Sequence, residues 1–257
     1  MHRRGQRDSE EAEEMMAGWT GDPVWLADAL RAEGVKVVES PGWKDWGNGD
    51  FSWIWGVMCH HTGGANSPVN EIKYGTAALK GLLSQIHLAK DGTATLCGVG
   101  VAWHAGLGEY PGLPKNNANY HTIGIEAVNT GTEGWSDAQY DAYVRCCAAI
   151  VRRLGYGADR VIGHKEWAGR AQGKWDPGGI DMDRFRADVA ARLKTPAAQG
   201  DQMNEEDRRM LREIWEQLRG PGGRGWPQLG SNSAGQNLTL VDAIAALKSV
   251  IFGKAGQ

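Results

Sequence analysis

The chain has 257 residues, of which 41% are hydrophobic and 23% are charged, and its formal net charge is -3 at neutral pH. This size and composition allow a substantial buried core, which excludes a disordered protein and favours one main domain with an appendage. The small negative charge and the lack of a long basic run argue against nucleic acid as a partner.

Targeting signals and cysteines bear on the compartment of the protein. Residues 1–14 begin with basic residues but carry no apolar stretch, so no secretory signal peptide is predicted. No window approaches 18 consecutive apolar residues, so we expect no stable membrane insertion. Cys59, Cys97, Cys146 and Cys147 form no C-x-x-C pair, and we interpret them as reduced, mostly buried thiols made in a cytosol.

Apolar runs bounded by turn residues predict helices that alternate with strands. Asp22, followed by proline, predicts a capped helix that ends at Gly34. Residues 35–38 and 54–59 predict two strands, the second with His60 at its C-terminal end. The other elements predicted before residue 195 are a hairpin within 82–96, strands over 123–128 and 160–163, and helices over 136–155 and from about 183 to 194.

This alternation predicts an α/β domain with a central mixed β-sheet flanked by helices. We assign it to residues 1–194, with a core from about 53 to 194. Residues 195–203 are small and polar and predict a linker. Residues 204–257 carry two amphipathic patterns and predict a small helical C-terminal extension. Two helices have little core of their own, so we expect them to pack on the first domain, on another copy or on a partner.

Three residues far apart in the chain, His60, His164 and Asp176, lie in segments whose chemistry predicts a split zinc site. A His-His pair alone more often consists of one packed and one exposed histidine, but here two further polar loops follow strands. Zinc with three protein ligands keeps a position for water, whose pKa falls to around 7. Glu126 and Lys174 are available as carboxylate base and cation, and the pattern therefore indicates a hydrolase.

The order of these segments resembles the zinc-dependent N-acetylmuramoyl-L-alanine amidases related to peptidoglycan recognition proteins, most of all their phage endolysin branch. The resemblance covers about residues 53–194. Five motifs carry it: Cys-His-His-Thr at 59–62, Trp-His-Ala-Gly at 103–106, Ile-Gly-Ile-Glu at 123–126, Gly-His-Lys-Glu-Trp at 163–167 and Lys-x-Asp-Pro-Gly at 174–178.

The resemblance implies a set of zinc ligands. In the family the first histidine of the pair binds the metal, which makes His60 the ligand and leaves His61 as a neighbour. His164 is the second ligand. The third position is Cys or Asp in the family, and this chain has Asp176 there.

Catalytic roles also follow from the resemblance. Glu126 matches the glutamate that some relatives use as general base, whereas others use a tyrosine whose position here is Ser84. The implied reaction is attack of zinc-activated water on the amide between N-acetylmuramic acid and L-alanine, with Lys174 helping to hold the oxyanion.

Three more residues are predicted to contact substrate. His104 lies in the Trp-His-Ala-Gly motif, and the alternative for it is a hydrogen-bonded loop histidine. Asn119 belongs to a polar loop before the strand of Glu126 and would line the groove for the stem peptide. Trp175 is one of several loop tryptophans that either anchor small cores or stack on sugar rings.

The resemblance implies bacterial peptidoglycan as substrate and Zn²⁺ as cofactor. The predicted function is that of a phage endolysin for host lysis, made in the bacterial cytoplasm and acting on the cell wall after release. The alternatives are a cytosolic muropeptide-recycling amidase and a peptidoglycan-binding module without catalysis. Residues 204–257 are predicted to serve wall targeting or self-association.

Overall fold

The computed structural model describes residues 19–195 and 205–252. The chain divides into two compact units, with the boundary after residue 200. The N-terminal segment 1–14 and the predicted linker, apart from residue 195, lie outside the described residues.

In the described part of the first unit, helices alternate with the strands of one mixed sheet. In chain order the elements are α1 (Leu26–Ala32), β1 (Val37–Glu39), β2 (Gly56–His61), α2 (Val69–Tyr74), β3 (Ile86–Leu88), β4 (Ala94–Leu96), β5 (Thr122–Ala127), α3 (Asp137–Arg153), β6 (Val161–Gly163), α4 (His164–Gln172) and α5 (Met182–Lys194). The sheet order is β1-β4-β3-β5-β2-β6. β3 and β4 pair antiparallel, and the other neighbours pair parallel. The predicted mixed sheet flanked by helices is confirmed.

The two faces of the sheet bury different cores. Successive side chains of a strand point to opposite faces, so Val57 of β2 faces one core while Met58 and His60 face the other. The larger core contains Val57 and packs under α1, α3 and α5. The smaller core contains Met58 and Trp167 of α4. His60 therefore lies on the face covered by α4 and the loops that precede β5.

Helix α3 supports the central strands. Its N-terminus is capped by Ser136, whose Oγ accepts a hydrogen bond from the Gln139 backbone N–H at 3.1 Å. The Tyr143 hydroxyl donates to the carbonyl oxygens of His60, at 2.9 Å, and Ile125, at 3.2 Å. This long helix fixes the backbone of β2 and β5 where they carry polar side chains.

The structure differs from the sequence prediction at three helices. Asp22 does not cap α1, because its Oδ1 accepts from the backbone N–H of Phe51 at 3.0 Å and the helix begins at Leu26. The short helices α2 and α4 were not predicted. Helix α4 follows β6 directly and lacks a Ser, Thr, Asp or Asn cap; instead Glu166 accepts from the Gly163 N–H at 2.8 Å.

The four cysteines are buried, as predicted, and none of them forms a disulfide. The sulfur atoms of Cys59 and Cys147 lie 3.7 Å apart, between β2 and α3. Burial raises the pKa of Cys97 to about 12, so this thiol remains protonated at neutral pH.

The second unit contains the two predicted C-terminal helices, α6 (Glu205–Arg219) and α7 (Leu240–Phe252). Both present apolar side chains to solvent: Met210, Leu211, Ile214, Trp215 and Leu218 on α6, and Val241, Ile244, Leu247 and Val250 on α7. Among the described residues, no helix combines the length and apolar character that a bilayer crossing requires.

Candidate functional site

The polar residues of the site lie at the carboxyl ends of three adjacent parallel strands. β2 pairs with β5 so that His60 and Glu126 are register partners, and with β6 on its other side. His164 follows β6 as the first residue of α4, and Asp176 lies in the loop after that helix. Ligand sites in open α/β sheets characteristically occupy this edge.

His60, His164 and Asp176 come together as one cluster. His60 Nδ1 lies 3.1 Å from His164 Nδ1 and 2.9 Å from Asp176 Oδ2, and His164 Nδ1 lies 3.1 Å from the same carboxylate oxygen. All three residues are buried. Folding thus places one donor atom from each predicted ligand around a common point.

The protonation of the cluster indicates what it can hold. Burial lowers the pKa of His60 to about 4, although hydrogen bonding to Asp176 opposes this. Burial also acts to raise the pKa of Asp176, but contacts with His164 and His60 outweigh it and hold that pKa below its usual value. At neutral pH the cluster therefore contains an ionised carboxylate and a neutral His60.

The second imidazole is oriented by the protein backbone. His164 Nε2 lies 2.9 Å from the carbonyl oxygen of Ala105. A carbonyl only accepts, so Nε2 carries a proton and Nδ1 is the nitrogen that remains to bind a metal. Two ring nitrogens and a carboxylate oxygen converge in this buried place, where a shared proton or a metal ion would hold them together. Two imidazoles and one carboxylate form a donor set that suits zinc, so these residues fit Zn²⁺.

Glu126 and Lys174 lie beside this cluster. The Glu126 side chain has an Oε2 atom that is buried and without a hydrogen-bond partner among the described residues. Burial raises the pKa of Glu126 to about 8; the negative charge of Asp176 adds to the rise, and the positive charge of Lys174 opposes it. Lys174 itself is exposed. The site thus contains a carboxyl that exchanges its proton near neutral pH and a cation within electrostatic reach.

The three predicted substrate contacts have different surroundings. His104 is buried and both of its ring nitrogens face protein atoms, His60 Nε2 at 3.0 Å and the Thr122 carbonyl at 3.1 Å. Asn119 accepts from the backbone N–H groups of His104 and Ala105. His104 and the Asn119 side-chain oxygen thus face protein groups, and contact between substrate and either residue remains a prediction.

Trp175 is the exception, because 52% of it is exposed. Its ring lies 4.6 Å from the His61 ring, centroid to centroid. A Cβ at Gly131 or Gly178 would come within 2.5 and 2.2 Å of the indole, so both glycines leave room for it. Contact between substrate and Trp175 remains a prediction.

His61 and Lys165, for which the sequence analysis predicts no role, hold the loop of Asp176 by hydrogen bonds. His61 Nδ1 accepts from the Gly178 N–H at 2.8 Å. The Lys165 ammonium donates to the carbonyl oxygens of Pro177 and Ile180. The adjacent histidines of β2 point to opposite faces of the sheet, yet both contact the loop of Asp176: His60 contacts the Asp176 side chain and His61 contacts the Gly178 backbone. The sequence of a His-His pair does not reveal these separate contacts.

A family model described as N-acetylmuramoyl-L-alanine amidase matches residues 50–179, and one described as Rv3766 C-terminal domain matches residues 203–253. The uncharacterized protein Rv3766 of Mycobacterium tuberculosis is 69% identical over 39 residues, which are 15% of this chain and 14% of that protein. The 1,6-anhydro-N-acetylmuramyl-L-alanine amidase AmpD of Enterobacter cloacae is 38% identical over 87 residues, 34% of this chain and 44% of that protein.

Among solved structures, a selenomethionine derivative of AmpD has 27% sequence identity to this chain and a TM-score of 0.46. That similarity covers 60% of this chain and 94% of the other. The chain spans less than half the length of Rv3766 and of the Enterobacter cloacae amidase.

Proposed function

Because the chain belongs to the N-acetylmuramoyl-L-alanine amidase family, we propose that it hydrolyses the amide bond between N-acetylmuramic acid and the L-alanine of the peptidoglycan stem peptide. One observation carries the proposal. A buried His60, His164 and Asp176 cluster that fits zinc lies next to Glu126, a half-buried residue whose Oε2 atom is buried and has no hydrogen-bond partner among the described residues. Metal-assisted amide hydrolysis needs both parts in contact with the same water.

The proposed roles follow from position and charge. A zinc ion held by His60, His164 and Asp176 would polarise the carbonyl and acidify the attacking water. Glu126 takes the proton of that water and passes it to the leaving amine, a task suited to a carboxyl with a raised pKa. Lys174 adds positive charge where the carbonyl oxygen becomes negative.

Digestion of purified cell wall tests the bond that is cleaved. Mass spectrometry of the soluble products should find stem peptides with a free L-alanine amino group and glycan strands with intact glycosidic bonds. Products that retain the muramyl–alanine bond would contradict the proposal. A peptidoglycan-binding module, the non-catalytic alternative, would bind the wall and release nothing.

Lys174 provides a test of the oxyanion role. Replacing Lys174 with alanine should lower kcat/KM for a muropeptide by about 100-fold or more, the usual cost of a lost oxyanion contact. Zinc content, measured by elemental analysis, should stay unchanged because Lys174 is not among the three ligands. Lys115→Ala is the matched control, since Lys115 is an exposed lysine paired with Glu109 at 3.1 Å, and it should keep both activity and zinc. Loss of zinc in parallel with activity in Lys174→Ala would refute the assigned role.

The biological setting is a separate part of the proposal. We propose the intact wall as substrate, in the setting of a phage endolysin that is made in the host cytoplasm and acts after release. A second unit with exposed apolar side chains on both of its described helices suits an enzyme that must stay on a large insoluble substrate. The alternative is a recycling amidase for soluble anhydromuropeptides, which the similarity to the 1,6-anhydro-N-acetylmuramyl-L-alanine amidase supports. Relative turnover of sacculi and soluble anhydromuropeptides separates the two.

The helical second unit is proposed to serve wall targeting or self-association. The large apolar side chains that α6 and α7 expose are 42–62% accessible to solvent, and exposed apolar patches of this kind commonly mark an interaction surface. Wall binding and sedimentation of the full chain, compared with a chain that ends at residue 200, distinguish these uses.

A further inference from the structure

His104 contacts His60 on the side of the ring that faces away from Asp176, in a buried line of polar contacts. Its Nδ1 is 3.0 Å from His60 Nε2, and its Nε2 is 3.1 Å from the carbonyl oxygen of Thr122. On the other side of the His60 ring, Nδ1 faces Asp176. A single line of contacts therefore runs from a β5 carbonyl through two imidazoles to the candidate ligand cluster.

The chemistry of the line fixes the position of each proton. The Thr122 carbonyl can only accept, so His104 donates from Nε2. His104 is buried and neither of its ring nitrogens contacts a carboxylate, so nothing nearby would balance a second proton and Nδ1 is left to accept. His60 then donates from Nε2, and its Nδ1 is the ring nitrogen directed at the cluster.

The backbone of the same segment orients the other imidazole. The carbonyl of Ala105, the residue after His104, accepts from His164 Nε2 at 2.9 Å. Asn119 Oδ1 accepts from the N–H groups of both His104, at 3.0 Å, and Ala105, at 2.8 Å. One side chain thus clamps the two residues that face the two candidate histidine ligands.

We infer that residues 104 and 105, clamped by Asn119, set the tautomers of both histidine ligands, and that His104 is a positioning residue which prepares His60 to bind metal through Nδ1. The inference rests on the metal-dependent function proposed above. It assigns His104 and Asn119 to metal binding through other residues, in place of contact with substrate.

Zinc affinity tests this role without reference to amidase activity. Competition with a chromogenic chelator should show zinc binding about 10- to 100-fold weaker in His104→Phe, the usual cost of losing a group that orients a metal ligand. His104→Asn should stay close to wild type, because its amide oxygen can occupy the place of Nδ1 and accept from His60. His121→Phe is the matched control: His121 is also a buried histidine, but it contacts the Trp53 carbonyl, and its loss should leave zinc affinity unchanged. Wild-type affinity in His104→Phe would overturn the inference.

Nitrogen-15 NMR of the histidine rings provides a measurement that needs no variant. In the zinc-loaded wild-type protein, His104 should be protonated at Nε2, and His60 should keep its proton at Nε2 while its Nδ1 shows the shift of a metal-bound nitrogen. A His60 ring bound to zinc through Nε2 would overturn the inference even if every variant failed to fold. A protein with these tautomers and tight zinc binding that leaves peptidoglycan intact would refute the proposed function and leave this inference standing.

Discussion

Replacing Glu126 with glutamine is expected to lower kcat by about 100- to 10,000-fold, the range attributed to a positioned general acid–base group. Glutamine has the same shape as protonated glutamate but cannot accept the proton of the attacking water. Zinc content should be unchanged, because Glu126 is a register neighbour of His60 and not one of the three clustered donors. Turnover of a soluble muropeptide, together with elemental analysis, measures both quantities.

The same substitution is expected to stabilise the metal-free protein at alkaline pH. The pKa of Glu126 is raised from 4.5 to about 8 by burial, so the folded state holds a proton that the unfolded state releases. The contribution of Glu126 to stability is therefore complete below about pH 4.5 and declines until about pH 8. Glutamine has no such decline, and the two proteins should differ by a few kcal/mol above pH 8.

Urea unfolding of chelator-treated protein between pH 4.5 and 9 measures this difference. Wild type and Glu126→Gln should have similar free energies of unfolding at the acid end and diverge as the pH rises. Glu109→Gln, a change at an exposed carboxylate paired with Lys115, should follow wild type in both stability and activity. Parallel curves for wild type and Glu126→Gln would mean that the Glu126 carboxyl is not buried in a neutral form.

The chemical identity of the site could be predicted from sequence because its residues follow strands with strong local signals. The apolar runs of β2, β5 and β6 end at or beside His60, Glu126 and His164. Parallel strands bring their carboxyl ends to one edge of a sheet, so each strand end points to the same place. Asp176 lies in a loop after α4 and not at a strand end, so strand order does not place it; the polar pattern of its segment and the resemblance predict it as a ligand.

The supporting contacts could not be predicted because they join residues far apart in the chain. His104 meets His60 across 44 positions, and His61 meets Gly178 across 117. Local pattern identifies a polar side chain near a cleft but not the partner of each ring nitrogen. This is why the sequence predicts His104 and Asn119 as substrate contacts without revealing that His104 also meets His60 and that Asn119 accepts from the His104 N–H.

The predictions for two helix starts were wrong for a related reason. Asp22 followed by proline is a strong capping signal, yet the aspartate accepts from the distant Phe51 N–H. Helix α4 has no capping side chain at Gly163, and its start is stabilised by Glu166 reaching back to that backbone. The predictions depend on a capping side chain that bonds to the first turn of its own helix. Asp22 bonds to a distant residue instead, and at α4 the bond comes from Glu166 inside the helix.

Replacing Asp176 with asparagine is expected to weaken zinc binding by roughly 100-fold or more, because the ligand set loses its anionic member and metal affinity depends on deprotonated ligands. Activity at limiting zinc should fall with metal content, in contrast to Glu126→Gln and Lys174→Ala, which keep the metal. Asp176→Cys is the informative partner, since a thiolate also binds zinc and should restore most of the affinity that asparagine loses. Chelator competition on the three proteins should rank their zinc affinity, with wild type the highest, Asp176→Cys second and Asp176→Asn the lowest. Equal zinc affinity in Asp176→Asn and wild type would show that the ion, if bound, is held without this carboxylate.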